Sequence, residues 1–371
     1  MSWRRAWTAA ALLSILVVSG EIAARVDDWI RLGVPLMHTP DESIDLRVRD
    51  SLGVHGRPRG RYNGFRLNNF GFRGPDMARL PASGCTRVLV LGASETMGYY
   101  ETPGKEYPAQ LRDSLMAYGC ADVVNAGIPG WTLKSLVTLW QNYASQFGAQ
   151  VVLIYPTPGF YLGADPPVWQ NASAPSKKPI LDPKAPWRPR LLERLHNVIH
   201  TPDFIQIHRE RRWIDDDTRG EPDSWFFRSP PEDRLATYIA DLDSLVKTIR
   251  ASGATPVVMT HAMRFTIPAQ PADDLLLVSW HHFAPRATPE TMLNFEHVAA
   301  ERTRRYGESA HVPVVDVDSA LTGRSALFGD FIHFTNDGSA RVAGVIARTL
   351  VQNGLIGTAQ SRVEGDTATH R

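Results

Sequence analysis

Apolar positions fall in two rhythms between Cys85 and Asn353, where short β-branched runs alternate with stretches whose apolar residues recur every three or four positions. The runs are Arg87–Leu91, Asp122–Asn125, Gln150–Tyr155, Pro256–Thr260 and Val312–Val317. They lack the alternation of a strand with one wet face, so both of their faces are expected to be covered. Helices are expected over 108–118, 132–147, 236–251 and 336–353. Another opens at Thr288-Pro289, an N-cap followed by proline at the first helical position. Within 236–251, Ile239, Leu242, Leu245, Val246 and Ile249 share one helical face. Five such β-α units predict a doubly wound α/β fold with a parallel sheet in order 2-1-3-4-5. Its ligand site should lie beyond the carboxyl ends of the strands.

The rhythm fails elsewhere. In residues 1–24, Arg4 and Arg5 precede an apolar run from Ala6 to Gly20, ended by Glu21. Roughly 15 apolar residues suit a signal-peptide core and are short for a membrane span. Neither Val18/Gly20 nor Ile22/Ala24 resembles a good cleavage site. Cleavage, retention as a signal anchor and a buried N-terminal helix are the alternatives, and the first two place the body outside the cytoplasm, periplasmic or secreted. Residues 25–82, rich in Arg, Gly, Asn and Pro, read as an irregular wrap ahead of a domain over 83–356. Residues 160–232 carry many prolines with Trp169, Trp187, Trp213 and Trp225 between them. Such a segment reads as an inserted lid, or as a surface insertion without a role in binding, with a short helix near 191–200. A second insertion holds Trp280, His281, His282 and Phe283. The tail, 357–371, is polar and expected to fray.

Composition narrows the function. Of 371 residues, 43% are hydrophobic and 21% charged, as in an ordinary globular protein. With 40 Lys+Arg against 39 Asp+Glu there is no cationic surplus to hold a nucleic acid. Cys and His show no zinc-site spacing, so no metal or other cofactor is expected. Cys85 and Cys120 each follow a glycine and precede strands expected to be neighbours. They should lie within disulfide range in an oxidising compartment, two free buried thiols being the alternative.

Ser94 follows the first run, where a helix N-terminus would offer free N–H groups to an oxyanion, although a serine there could be only an N-cap. Asp330 and His333 stand three residues apart just before the last helix. Across a turn, that carboxylate can hold one ring nitrogen while the other faces a serine. A G-x-S-x-G hydrolase fits less well, because Thr96 stands at the final glycine position.

In order, these stretches resemble the SGNH (GDSL-like) serine hydrolases. Val90-Leu91-Gly92-Ala93-Ser94-Glu95-Thr96 is similar to their first block, with Ala93 where Asp is usual. Asn125-Ala126-Gly127-Ile128-Pro129-Gly130 is similar to the second, and Gly329-Asp330-Phe331-Ile332-His333-Phe334-Thr335 to the last. Asn68–Gly74 resembles a stretch preceding the first block in exported bacterial members. The resemblance runs from about residue 60 to 352, outside the insertions. It implies a three-layer α/β/α sandwich, Ser94, Asp330 and His333 as catalytic residues, and the N–H groups of Ser94 and Gly127 as oxyanion donors. The family's third donor, an Asn after strand three, is missing from Pro156-Thr157-Pro158-Gly159. Losing such a donor costs about 3 kcal/mol, and Thr157 is the nearest replacement.

Other residues carry less. His261 ends strand four and is expected to be structural or at the surface, or to line the site. His281 and His282 would point apart on a strand and form no metal pair. Asp337 complements the last helix dipole, Asn125 orients a turn or the oxyanion loop, and Asn171-Ala172-Ser173 matches a glycosylation sequon. The expected function is an ester hydrolase or O-acyltransferase, with O-acetyl as one suitable acyl unit. Its substrate would be a small ester or an envelope or extracellular glycan. The alternative is a non-catalytic envelope glycan-binding or scaffold protein on the same fold.

Overall fold

The computed structural model describes residues 3–163, 187–198 and 201–356. Its main sheet contains β1 (Thr86–Gly92), β2 (Ala121–Gly127), β3 (Val151–Ile154), β4 (Thr255–Met259) and β5 (Val314–Val315). All are parallel, in the expected order β2-β1-β3-β4-β5. Their lack of alternation has a direct cause. Leu89, Leu91, Val152, Ile154 and Val258 pack under helices Leu133–Asn142, Glu232–Ala251 and Pro289–Ala310. The intervening Val88, Val90, Val151, Leu153, Val257 and Met259 pack against Tyr107–Leu115 and Asn336–Gln352 on the other face. None of these strand residues is more than 2% exposed. The result is a three-layer sandwich.

Strand five is shorter than its apolar run. Val312 returns its N–H to Gly307 at the end of the preceding helix, and the Asp316 side chain caps the next short helix at Ser319 N. Cys85 and Cys120 are joined at the amino-terminal edge of β1 and β2, with Cα atoms 4.6 Å apart. Closing that 35-residue interval should constrain the unfolded chain by about 4 kcal/mol. Exported protein, denatured without reductant, is expected to resist alkylation at both cysteines; two alkylatable thiols would remove this staple.

Two helices in the insertions were not anticipated. Asp203–Asp217 buries only Ile214, so its periodicity is faint, and Asp274–His281 is short. They pack together through an Arg211–Asp274 ion pair of 2.9 Å and through Trp213 stacked on His282. His281 and His282 thus end a helix rather than occupying a strand, and His282 Nδ1 lies 3.1 Å from Glu210. The sequon and the proline-rich part of the first insertion, like the tail, lie outside the described residues.

The N-terminal helix α1 (Trp3–Leu32) continues eight residues past the expected boundary at 24, and it is long and apolar enough to cross a membrane. Its last turns belong to the body. Arg190 Nε, at the start of a helix spanning Arg190–Val198, bonds Asp28 at 2.7 Å, and Arg194 reaches both Asp27 and Asp28. Glu21 accepts the backbone N–H groups of Arg190 and Leu191.

Candidate active site

β1 ends at Gly92, and α2 (Ser94–Met97) begins two residues later. Within Leu91–Gly98, Ser94 is the one residue that is not buried. Two glycines allow α2 to lie flat on the strand ends. A Cβ on Gly92 would come 2.0 Å from Thr96 Oγ1, and one on Gly127 would come 2.5 Å from Met97 N. Two further ties hold this turn. Asn125 Nδ2 donates to Thr96 O at 2.8 Å. Buried Arg73, in the Asn68–Gly74 stretch of the wrap, donates to Met97 O and Gly98 O.

The last block folds as a tight turn around Asp330. One carboxylate oxygen accepts the N–H groups of Ile332 and His333, and the other takes His333 Nδ1–H at 2.7 Å. That bond fixes the tautomer and leaves the lone pair on Nε2. Nε2 is buried and has no hydrogen-bond partner among the described residues. Burial opposes a charged ring at His333. The hydrogen bond and charge of Asp330, with the charges of Glu95 and Glu101, outweigh burial and hold its pKa above the usual histidine value. Burial would raise the Asp330 pKa, but His333 and the two N–H groups pull it below the ordinary range.

Ser94 and His333 line the same cavity of about 290 Å³, with Tyr99, Gly130, Thr157 and several apolar side chains. No hydrogen bond joins them directly; Ser94 Oγ donates to Glu95 Oε2 at 3.3 Å. Two expected oxyanion donors are committed elsewhere. The Gly127 N–H, at the end of β2, goes to Asn125 Oδ1 at 3.0 Å, and Gly127 is not part of the cavity wall. The single hydroxyl proton of Thr157 goes to Glu95 Oε1 at 2.9 Å, because a carboxylate can only accept. Gly130 replaces Gly127 at the cavity. It sits in a turn at φ 73°, and its N–H has no partner among the described residues.

Glu95 is the residue that sequence reasoning passed over. Fully buried, it accepts from Ser94, Thr157 and His261 Nε2, the last at 3.1 Å. His261, also buried, binds Glu296 through Nδ1 at 2.7 Å. Burial disfavours charge on both Glu95 and His261, but their mutual pairing prevails. Glu95 lies below the usual carboxylate range, held there by His261 and His333, while Glu296 and Glu95 push His261 up to about 10. His261 therefore serves as a buried counter-ion just behind the Ser94 turn. Thr335 caps the last helix at Gly338 N, and Asp337 lies in its first turn as expected.

No protein-family model and no curated protein matches the chain. Among solved structures, it is similar to Axe2, an acetylxylan esterase from Geobacillus stearothermophilus. The two are 17% identical over 74% of this chain and 96% of that one, with a TM-score of 0.41. It is also similar to LAE5, an alpha/beta hydrolase enzyme from the metagenome of Lake Arreo, Spain, at 16% identity over 75% and 99% with a TM-score of 0.40. A member of the lipolytic protein G-D-S-L family from Veillonella parvula DSM 2008 matches at 9% identity over 72% and 97%, with a TM-score of 0.38. Likeness this distant assigns no activity.

Proposed function

We propose that the chain is a serine-dependent ester hydrolase or O-acyltransferase, with Ser94 as nucleophile, His333 as general base and Asp330 as the carboxylate that orients it. One observation carries this reading: His333 lines the cavity that Ser94 lines, its Nε2 buried and without a partner among the described residues while Nδ1 is held by Asp330. Rotation of the Ser94 hydroxyl from Glu95 to His333 starts the reaction. Oγ bonds to the ester carbonyl as its proton passes to Nε2, and the N–H groups of Ser94 and Gly130 receive the oxyanion. His333 then returns the proton to the departing alcohol. Water, or an acceptor hydroxyl in the transferase case, releases the acyl group by the same steps reversed.

The ester would be a small molecule or a glycan of the envelope or outside the cell, reached from an extracytoplasmic position. We read α1 as a retained anchor: processing after Ala24 would remove Glu21 from its bonds to the body, and processing after Gly20 would cut the continuous helix directly before Glu21. The second reading, a non-catalytic envelope glycan-binding protein on this fold, draws on the Ser94–Glu95 hydrogen bond.

An alkyl fluorophosphonate separates the two. It is expected to label the wild type and not Ser94→Ala; a folded wild type left unlabelled would favour the second reading. The pH profile gives another test. The base must be neutral, so kcat/KM should rise with pH through an apparent pKa above the usual 6.5 of histidine. Asp330→Asn should bring that pKa down toward 6.5 and lower kcat by about 10⁴-fold.

A further inference from the structure

We infer that the cavity beside Ser94 holds an unbranched aliphatic acyl group of about six to ten carbons, taking a methylene to fill roughly the 30 Å³ of a water molecule. This rests on Ser94 being the nucleophile and deepens that reading. The cavity measures about 290 Å³, far beyond the needs of an acetyl group. Its wall is Phe160, Leu162, Trp280, Met292, Phe331 and Ile332, with Ala284 and Phe283 beside them. Trp280 stacks between Phe265 and Phe331, so this part of the wall is a packed aromatic surface. Apart from Ser94 and His333, the hydroxyl-bearing lining residues are Tyr99 and Thr157. The Tyr99 hydroxyl is bonded to Glu42 and the Thr157 hydroxyl to Glu95. A sugar ring placed there would bury hydroxyls with few partners, which is costly, whereas a methylene chain loses nothing. The chain is assigned to the acyl side because the acyl group stays on Ser94 after the alcohol has left, so the site must house it through both half-reactions.

The test is a series of p-nitrophenyl esters from acetate to dodecanoate, run with acetates of rising alcohol length. The acyl series should climb about fourfold in kcat/KM per methylene, peaking near octanoate on the order of 10³-fold above acetate. The alcohol series should stay flat. Ala284→Leu should move the peak to shorter acyl groups and Trp280→Ala to longer ones. Decanoate should bind Ser94→Ala by calorimetry far more tightly than acetate does. Fluorophosphonate labelling without an acyl-length preference, or with a rise along the alcohol series instead, would overturn the acyl assignment and leave the nucleophile standing. Decanoate binding without labelling would keep the cavity's ligand and discard the nucleophile.

Discussion

Ser94→Ala is expected to lower kcat by on the order of 10⁶-fold, and His333→Ala by a similar factor. The double variant should be no worse than either single one. Nucleophile and base act as a unit, so once one is gone the other contributes nothing further. Ser94 is only half-buried and its loss removes one oxygen, so Ser94→Ala should unfold at the same denaturant concentration as the wild type. Steady-state kinetics on a p-nitrophenyl ester and a urea titration decide the matter. Residual activity above a tenth in Ser94→Ala, or additive losses in the double variant, would put the nucleophile elsewhere.

The second large effect concerns stability. His261→Leu should cost about 3–5 kcal/mol, because it leaves two buried carboxylates, Glu95 and Glu296, without the cation between them. Its sign with pH follows from the raised pKa. His261 lies at about 10 in the folded chain and near 6.5 when unfolded. Its pairing is therefore fully present below about pH 6.5 and fades as pH rises through about 10. Urea midpoints of the wild type should fall between pH 7 and 10, and those of His261→Leu should change less over that window. Should His261→Leu fail to fold, adding Glu296→Gln is expected to recover part of the loss by removing one of the opposed charges. Equal midpoints for wild type and His261→Leu would show that the cluster is not ionised.

The sheet order and the placement of Ser94 could be read from the sequence because they are local. Five apolar runs, the three inner ones forming strands buried on both faces, and a serine just after the first of them are contiguous patterns. Asp330 and His333 are legible for the same reason, since one turn holds both. Glu95, His261 and Glu296 come from three separate elements, and nothing in their spacing announces a cluster. The nearest signals were a carboxylate beside a candidate nucleophile and a histidine at the end of strand four. Which glycine faces the cavity was not legible, because sequence similarity names a glycine but not the direction of its N–H. Gly127 is spent on Asn125, and Gly130, three residues on, lines the cavity. The continuation of α1 to Leu32 was hidden because Arg25, Asp27 and Asp28 look like solvent-facing charges until the first insertion brings Arg190 and Arg194 to the two aspartates and the Arg188 carbonyl to Arg25.

The Arg73 clamp sets a limit on how the chain can be cut. A fragment starting at residue 83 would keep every strand and every covering helix of the sandwich. It would nevertheless release the carbonyls of Met97 and Gly98, which the Arg73 guanidinium now fastens, and free the far end of the Ser94 turn. The segment ahead of the sheet is thus no detachable leader to an autonomous module. In designing a minimal working unit, or in grafting this α/β body onto another chain, the transferable piece has to begin before Asn68, whose side-chain oxygen accepts the N–H groups of Phe70 and Phe72 just ahead of Arg73.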